Sequence, residues 1–158
     1  MNNPSNPVVF WQQEIGKTKA SLLKYKRLRR WPDQSVSRLL QTIQLGFYSY
    51  QKLLDSSELT ENVSPTTLRC TAFSKKHRSG PGRLPKQESY RKYYDLDNPL
   101  EIDIEVGEIC SQIARTPHLA PCFAGDNSLD GIIFNVEKTG NEYLYRIRFH
   151  DLLELFDH

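Results

Sequence analysis

The sequence predicts an α+β domain, in which an N-terminal helical hairpin and a third helix pack on a small antiparallel sheet with a C-terminal β-hairpin. Three patterns predict this class. Residues 36–54 repeat apolar side chains at helical spacing, residues 128–149 contain two runs rich in β-branched and aromatic residues around a turn signal, and a further amphipathic helix is indicated over 105–115. A length of 158 residues is typical of one domain. We therefore expect one domain over 1–158, with a frayed start at 1–7.

The helical hairpin is predicted from two apolar stripes. Trp11, Ile15 and Leu22 share one face of a helix expected over residues 8–30. Pro32 ends this helix, because the residue before a proline avoids the helical region. A second helix is expected from Asp33 to about residue 55, on the strength of the apolar positions Val36, Leu39, Leu40, Ile43, Phe47, Tyr50 and Leu54.

Three strands are predicted, over residues 66–73, 130–137 and 142–149. In the last of these, Tyr145 and Ile147 alternate with Arg146 and Arg148, so the two arginines share one face of the sheet. The remaining stretches are assigned by their composition. We expect an extended piece at 100–104, loops at 74–92 and 116–130, and a short helix at the C-terminus; the basic loop at 74–92 is expected to be mobile.

Charge is distributed unevenly along the chain, although the formal net charge is only +2. Residues 1–92 contain 17 Lys+Arg and six Asp+Glu, whereas residues 93–158 contain four and 13. Such asymmetry has two explanations. Either the two halves neutralise each other, with the acidic segment 95–108 facing the basic residues, or a basic surface is left exposed for an anionic partner.

The leading functional hypothesis is a non-enzymatic cytoplasmic protein that binds RNA or single-stranded DNA. Clustered Lys and Arg bind phosphates through counterion release, and tyrosines such as Tyr90, Tyr93 and Tyr94 can stack on bases. An alternative is a protein–protein interaction or regulatory module that uses opposite-charge surfaces. A further alternative is a small ribonuclease of the toxin or defence kind, with His118 or His150 at its centre. The candidate nucleic-acid-binding residues are Lys24, Lys26, Arg27, Arg30, Lys75, Lys76 and Arg78.

Catalytic and metal-binding sites are not predicted. Cys110, His118 and Cys122 are of suitable ligand types, but they lack the closely spaced Cys pair that is usual in structural zinc sites. We therefore predict that the cysteines are core residues and that the protein needs neither a metal nor a cofactor. No nucleophile elbow and no glycine-rich phosphate loop is present, and we assign no catalytic residue, so we favour a protein that is not an enzyme.

The sequence also predicts where the protein resides. No apolar run approaches the roughly 18 residues that a membrane span requires, and residues 1–14 lack a basic leader with an apolar core. We therefore expect no membrane association and a cytoplasmic location, with reduced thiols.

Overall fold

The computed structural model describes residues 6–56, 67–76, 90–116, 119–135 and 143–157. In the described residues, the helices are α1 (Pro7–Tyr25), α2 (Asp33–Ser56), α3 (Tyr90–Tyr93), α4 (Val106–Arg115) and α5 (Phe149–Leu155). The strands are β1 (Thr67–Ser74), β2 (Leu100–Glu105), β3 (Leu119–Phe123), β4 (Leu129–Asn135) and β5 (Tyr143–Arg148). The α+β class is thus confirmed. The predicted helical hairpin is α1 and α2, the helix expected at 105–115 is α4, and the C-terminal β-hairpin is β4 and β5.

The five strands form one antiparallel sheet in the order β2-β1-β5-β4-β3. The predicted hairpin is β4 and β5, with Ile132 opposite Ile147 and Phe134 opposite Tyr145. Since successive side chains point to opposite sides of a strand, each strand contributes to two faces. We name the side covered by α2, α4 and α5 the helix face, and the other side the outer face.

The helix face holds the main core, and the predicted seam between the first two helices lies within it. Ile15 and Leu22 of α1 and Ile43 and Phe47 of α2 have no exposed surface. Burial of such side chains contributes roughly 1.5–3 kcal/mol each, which favours the hairpin over separate helices. Leu40, one of the apolar positions that predicted the second helix, is only partly buried.

Helix α1 ends at Tyr25, so the expectation that it continues to Arg30 was wrong. The apolar stripe stops at Tyr25, so a helix that continued through residues 26–30 would not bury a further apolar face on the core. The side chain of Arg29 instead donates to the carbonyl oxygens of Lys26 and Leu28, at 3.1 and 3.0 Å. These bonds give hydrogen-bond partners to two carbonyls of the turn that follows the helix.

Residues 119–123 form strand β3, so the expectation of a loop throughout 116–130 was wrong. Pro121 lies inside this strand opposite Ile132, and a proline has no amide hydrogen for a ladder. It is tolerated because β3 is an edge strand. The extended piece expected at 100–104 is the other edge strand, β2.

The expected loop at 74–92 is described only at its two ends. Ser74 is the last residue of β1, and Tyr90 begins the short helix α3. Residues 77–89, which include Arg78, lie outside the described residues. Tyr90 and Tyr94 are buried on the outer face, where they form a second apolar cluster with Phe73, Cys122, Ile133 and Leu144.

Candidate nucleic-acid interface

The end of α1 carries a dense group of cations, which we call the cationic turn (residues 24–30). Lys24, Lys26, Arg27 and Arg30 are all exposed. Within the described ranges, no carboxylate forms an ion pair with any of these four side chains. Four unneutralised charges over seven residues produce a local positive potential that attracts anions.

Arg29 differs from its neighbours because it belongs to the structure of the turn itself. Besides its two carbonyl contacts, its Nε lies 3.7 Å from Oδ2 of Asp126. The carboxylate of Asp126 is held in position to pair with Arg29, because its Oδ1 accepts hydrogen bonds from the hydroxyl and the amide of Ser128, at 2.5 and 3.0 Å. These bonds, assisted by Arg29, hold the pKa of the Asp126 carboxyl below its usual range.

Trp31 fixes the cationic turn against the turn between β3 and β4. Its Nε1 donates to the carbonyl oxygen of Asn127 at 2.8 Å, and its ring lies 5.0 Å from that of Phe123. The ring of Tyr25 stacks nearby, with centroids 6.1 Å apart and an interplanar angle of 18°. Asn127 has a φ of 64°, a left-handed conformation that asparagine tolerates better than most residues.

An open pocket of about 550 Å³ lies at this junction. Its lining combines two aromatic rings with two guanidinium groups and consists of Arg29, Arg30, Trp31, Pro32, Phe123 and Asn127. The volume falls within the range of roughly 300–1,000 Å³ that is usual for small-ligand sites. A lining of aromatic faces and cations suits a planar ligand that carries negative charge, because rings stack on planar groups and cations attract anions.

Lys75 and Lys76 lie far from the cationic turn, although the sequence hypothesis groups them together. Lys75 is four residues beyond Thr71, whereas Leu129, which begins the strand after the Asn127 turn, is four residues before Ile133. Thr71 and Ile133 share one row of the sheet through Arg146, so eight residues of strand separate the two ends, or roughly 26 Å. The structure therefore does not bring the two basic groups together.

The acidic segment 95–108 neutralises cations of β1 and α3. None of the ion pairs described for this segment involves the cationic turn. Asp103 pairs with Arg69 across β2 and β1 at 3.4 Å, and Asp97 pairs with Arg91 at 2.6 Å. The hydrogen bond and charge of Arg91 lower the pKa of the Asp97 carboxyl, with a smaller contribution from Lys76. Internal neutralisation thus explains part of the basic half of the chain and leaves the cationic turn exposed.

Two of the tyrosines that were expected to stack on bases cannot do so as they stand. Tyr90 and Tyr94 are only 5% and 2% exposed, because their rings cover the apolar part of the outer face. Tyr93 is partly exposed, with the ammonium of Lys92 5.6 Å from its ring centre. The aromatic side chain that sequence reasoning missed is Trp31, the residue before Pro32, to which no functional part was assigned.

The three cysteines are core residues, as predicted. Cys110 belongs to the helix-face core and Cys122 to the outer-face cluster, so the two lie on opposite sides of the sheet. Burial raises the pKa of each thiol to about 12, and for Cys122 the nearby Arg146 opposes part of that effect. Neutral, buried thiols make poor nucleophiles and metal ligands.

The groups considered for catalysis are not assembled in the described structure. His150 is exposed on α5 with its Nε2 3.1 Å from Oε1 of Glu154, and His118 lies outside the described residues. Across the described ranges, no three side chains of His, Cys, Asp or Glu lie close enough to share a metal ion. Asp97 and Asp103 of the acidic segment pair with arginines.

No family model, no curated protein and no solved structure matches this chain. In the described part of the chain, no helix has both the length and the apolar character needed to cross a membrane. Functional inference therefore depends on the geometry of the cationic turn and the pocket beside it.

Proposed function

We propose that the protein binds RNA or single-stranded DNA, with the cationic turn as its main contact. The observation that supports this proposal is the group of four exposed cations without a described carboxylate partner, placed beside an aromatic-lined pocket. Binding to phosphates by such groups is driven by counterion release and depends little on sequence. No covalent chemistry is required of the protein.

The two basic groups have different parts in this proposal. Arg27 and Arg30 contact phosphates, while Arg29 maintains the shape of the turn. Lys75 and Lys76 form an extension that a longer strand reaches only by crossing the sheet, and Arg78, the last of the candidate residues, lies outside the described residues. Lys76 lies close enough to Asp97 to lower the pKa of that carboxyl, so the charge of Lys76 is already partly balanced.

The test compares two double variants that remove the same charge from opposite ends of the sheet. Binding of a labelled oligonucleotide of about 15 residues is followed by fluorescence anisotropy at salt concentrations between about 50 and 300 mM. Replacing Arg27 and Arg30 with Ala should make the slope of log affinity against log salt shallower by about 1.4, or 0.7 for each lost phosphate contact. The matched control, Lys75→Ala with Lys76→Ala, should change the slope less.

Two results would contradict the proposal. One is a wild-type protein that does not bind oligonucleotides at low salt. The other is an equal loss for both double variants, since that would mean that net charge matters and the cationic turn does not.

A second candidate is a protein-interaction module, which one further observation favours. Strand β2 presents three exposed carboxylates at one edge of the sheet, namely Glu101, Asp103 and Glu105, of which Asp103 is already paired with Arg69. The cationic turn adjoins β3 at the other edge. Four strand spacings separate these edges, or roughly 19 Å. Complementary surfaces at opposite edges allow copies of the chain to associate in a row.

Light scattering at low and high salt tests this second candidate. Self-association at about 50 mM salt that disappears at about 500 mM would support it, because attraction between exposed charges is screened at high ionic strength. A monomer at both salt concentrations would exclude association through these two edges.

A further inference from the structure

The pocket beside the cationic turn supports a more specific assignment, which depends on the function proposed above. We infer that this pocket is a subsite for one unpaired nucleobase, which stacks on Trp31 while Arg30 contacts the adjacent phosphate. The ligand class is therefore a single-stranded nucleic acid and not a duplex. A base within a duplex is stacked on both faces and cannot enter a concave site without being flipped out.

The indole of Trp31 is held in place before any ligand arrives. Its Nε1 is bonded to the Asn127 carbonyl oxygen, and its ring lies against Tyr25 and Phe123. Despite these contacts the side chain is only partly buried and forms part of the pocket wall. A fixed aromatic surface loses little side-chain freedom on binding, which favours affinity.

The charges around the pocket also suit a nucleotide. Arg29 is engaged by Asp126 and by two backbone carbonyls, so it fixes the pocket wall and is only partly available to a ligand. Arg30 lines the same pocket, is exposed and has no ion pair within the described residues. One free guanidinium next to a stacking ring provides both contacts that single-strand sites combine.

The experiment compares two oligonucleotides that differ only in their bases. One is a thymidine oligomer of about 12 residues, and the other has the same phosphates but abasic sugars throughout. The chain has two tryptophans, so the change Trp11→Phe leaves Trp31 as the only tryptophan whose fluorescence is followed. The thymidine oligomer should bind about 5- to 150-fold more tightly than the abasic one and quench Trp31, because stacking requires bases.

A substitution of Trp31 separates the contribution of stacking from that of charge. In the wild-type Trp11 background, Trp31→Leu should abolish the preference for the base-bearing oligomer and leave the salt slope unchanged. The matched control is Trp11→Leu, which alters the other tryptophan, 20 positions earlier on α1, and should preserve the preference. If Trp31→Leu fails to fold, the comparison of the two oligonucleotides on the folded Trp11→Phe protein decides the question alone.

Each outcome bears on a different statement. Equal affinity for the two oligonucleotides, with a normal salt slope, would overturn the base subsite and leave the proposed function intact. A preference for bases without quenching of Trp31 would place the stacking elsewhere and would also overturn it. If neither oligonucleotide binds at low salt, the proposed function and the subsite fail together.

Discussion

Gly16 and Gly46 both lie within helices of the hairpin, yet their surroundings differ sharply. A β-carbon at Gly16 would meet no atom within 4 Å, whereas one at Gly46 would lie 2.6 Å from Cγ2 of Thr18 and 3.0 Å from Cζ of Phe156. Thr18 has little room to move, since it is buried and its hydroxyl donates to the Glu14 carbonyl oxygen at 3.2 Å. Gly46 therefore occupies the place where α1, α2 and α5 meet.

The two glycines should respond in opposite ways to the same substitution. Gly16→Ala should raise the free energy of unfolding by roughly 0.5–1 kcal/mol, because alanine restricts the unfolded chain and favours the helix. Gly46→Ala gains the same helix preference but overpacks the junction at a cost of about 1–3 kcal/mol, so we expect a net loss. Urea titration followed by circular dichroism measures both, and a gain in stability for Gly46→Ala would show that the junction is loosely packed.

Elements whose own periodicity agrees with their surroundings could be predicted from the sequence. Helix α2 has one apolar stripe that faces the core, and it was expected at 33–55 and found at Asp33–Ser56. The hairpin of β4 and β5 was predicted equally well, because both strands are rich in β-branched and aromatic residues, which favour a sheet covered by apolar clusters on its two faces. For these elements, local preference and tertiary packing favour the same structure.

Elements decided by distant contacts could not be predicted in this way. Strand β3 contains Pro121, and only the edge position that the sheet gives it makes this residue acceptable. The path of the chain after α1 is likewise held by a distant contact, since Trp31 donates a hydrogen bond to the carbonyl oxygen of Asn127, 96 positions away in sequence. The candidate site was likewise predictable only in part. Its cations are visible in the sequence, whereas its pocket exists only because two distant turns meet.

At the scale of the whole molecule, charge is arranged differently in space from its order in the chain. Strand β1 comes from the basic half and lies between β2 and β5 of the acidic half. Pairs such as Arg69 with Asp103 follow directly from this order. The exposed pair contributes little to stability, about 0.2–1 kcal/mol, but it confines the unneutralised cations to fewer places.

The three thiols are likewise distributed through the whole fold, on β1, α4 and β3. Burial is the main reason that the pKa values of Cys70, Cys110 and Cys122 rise from 9.0 to about 12. Tyr90 behaves similarly, since burial, with the nearby Cys122 and Tyr94, raises its pKa from 10.0 to about 12. Both faces of the sheet therefore contain acids that remain protonated in the folded protein at alkaline pH.

Stability should consequently decrease as the pH rises from 9 towards 12. In this window the unfolded chain releases the thiol protons while the folded chain retains them, so rising pH favours unfolding by up to about 1.4 kcal/mol per pH unit for each thiol. Below about pH 8 the thiol contribution is nearly constant, because the thiols are protonated in both states. Urea titrations at about pH 8, 9.5 and 10.5 measure this dependence.

A cysteine variant attributes the pH dependence to a particular thiol. Cys110→Ala should lower the stability at pH 8, because it leaves a small cavity in the core. It should also make the decline above pH 9 shallower by the share of one thiol. A stability that stays constant from about pH 8 to 10.5, or native thiols that react readily with an alkylating reagent at about pH 8, would contradict the burial of these cysteines.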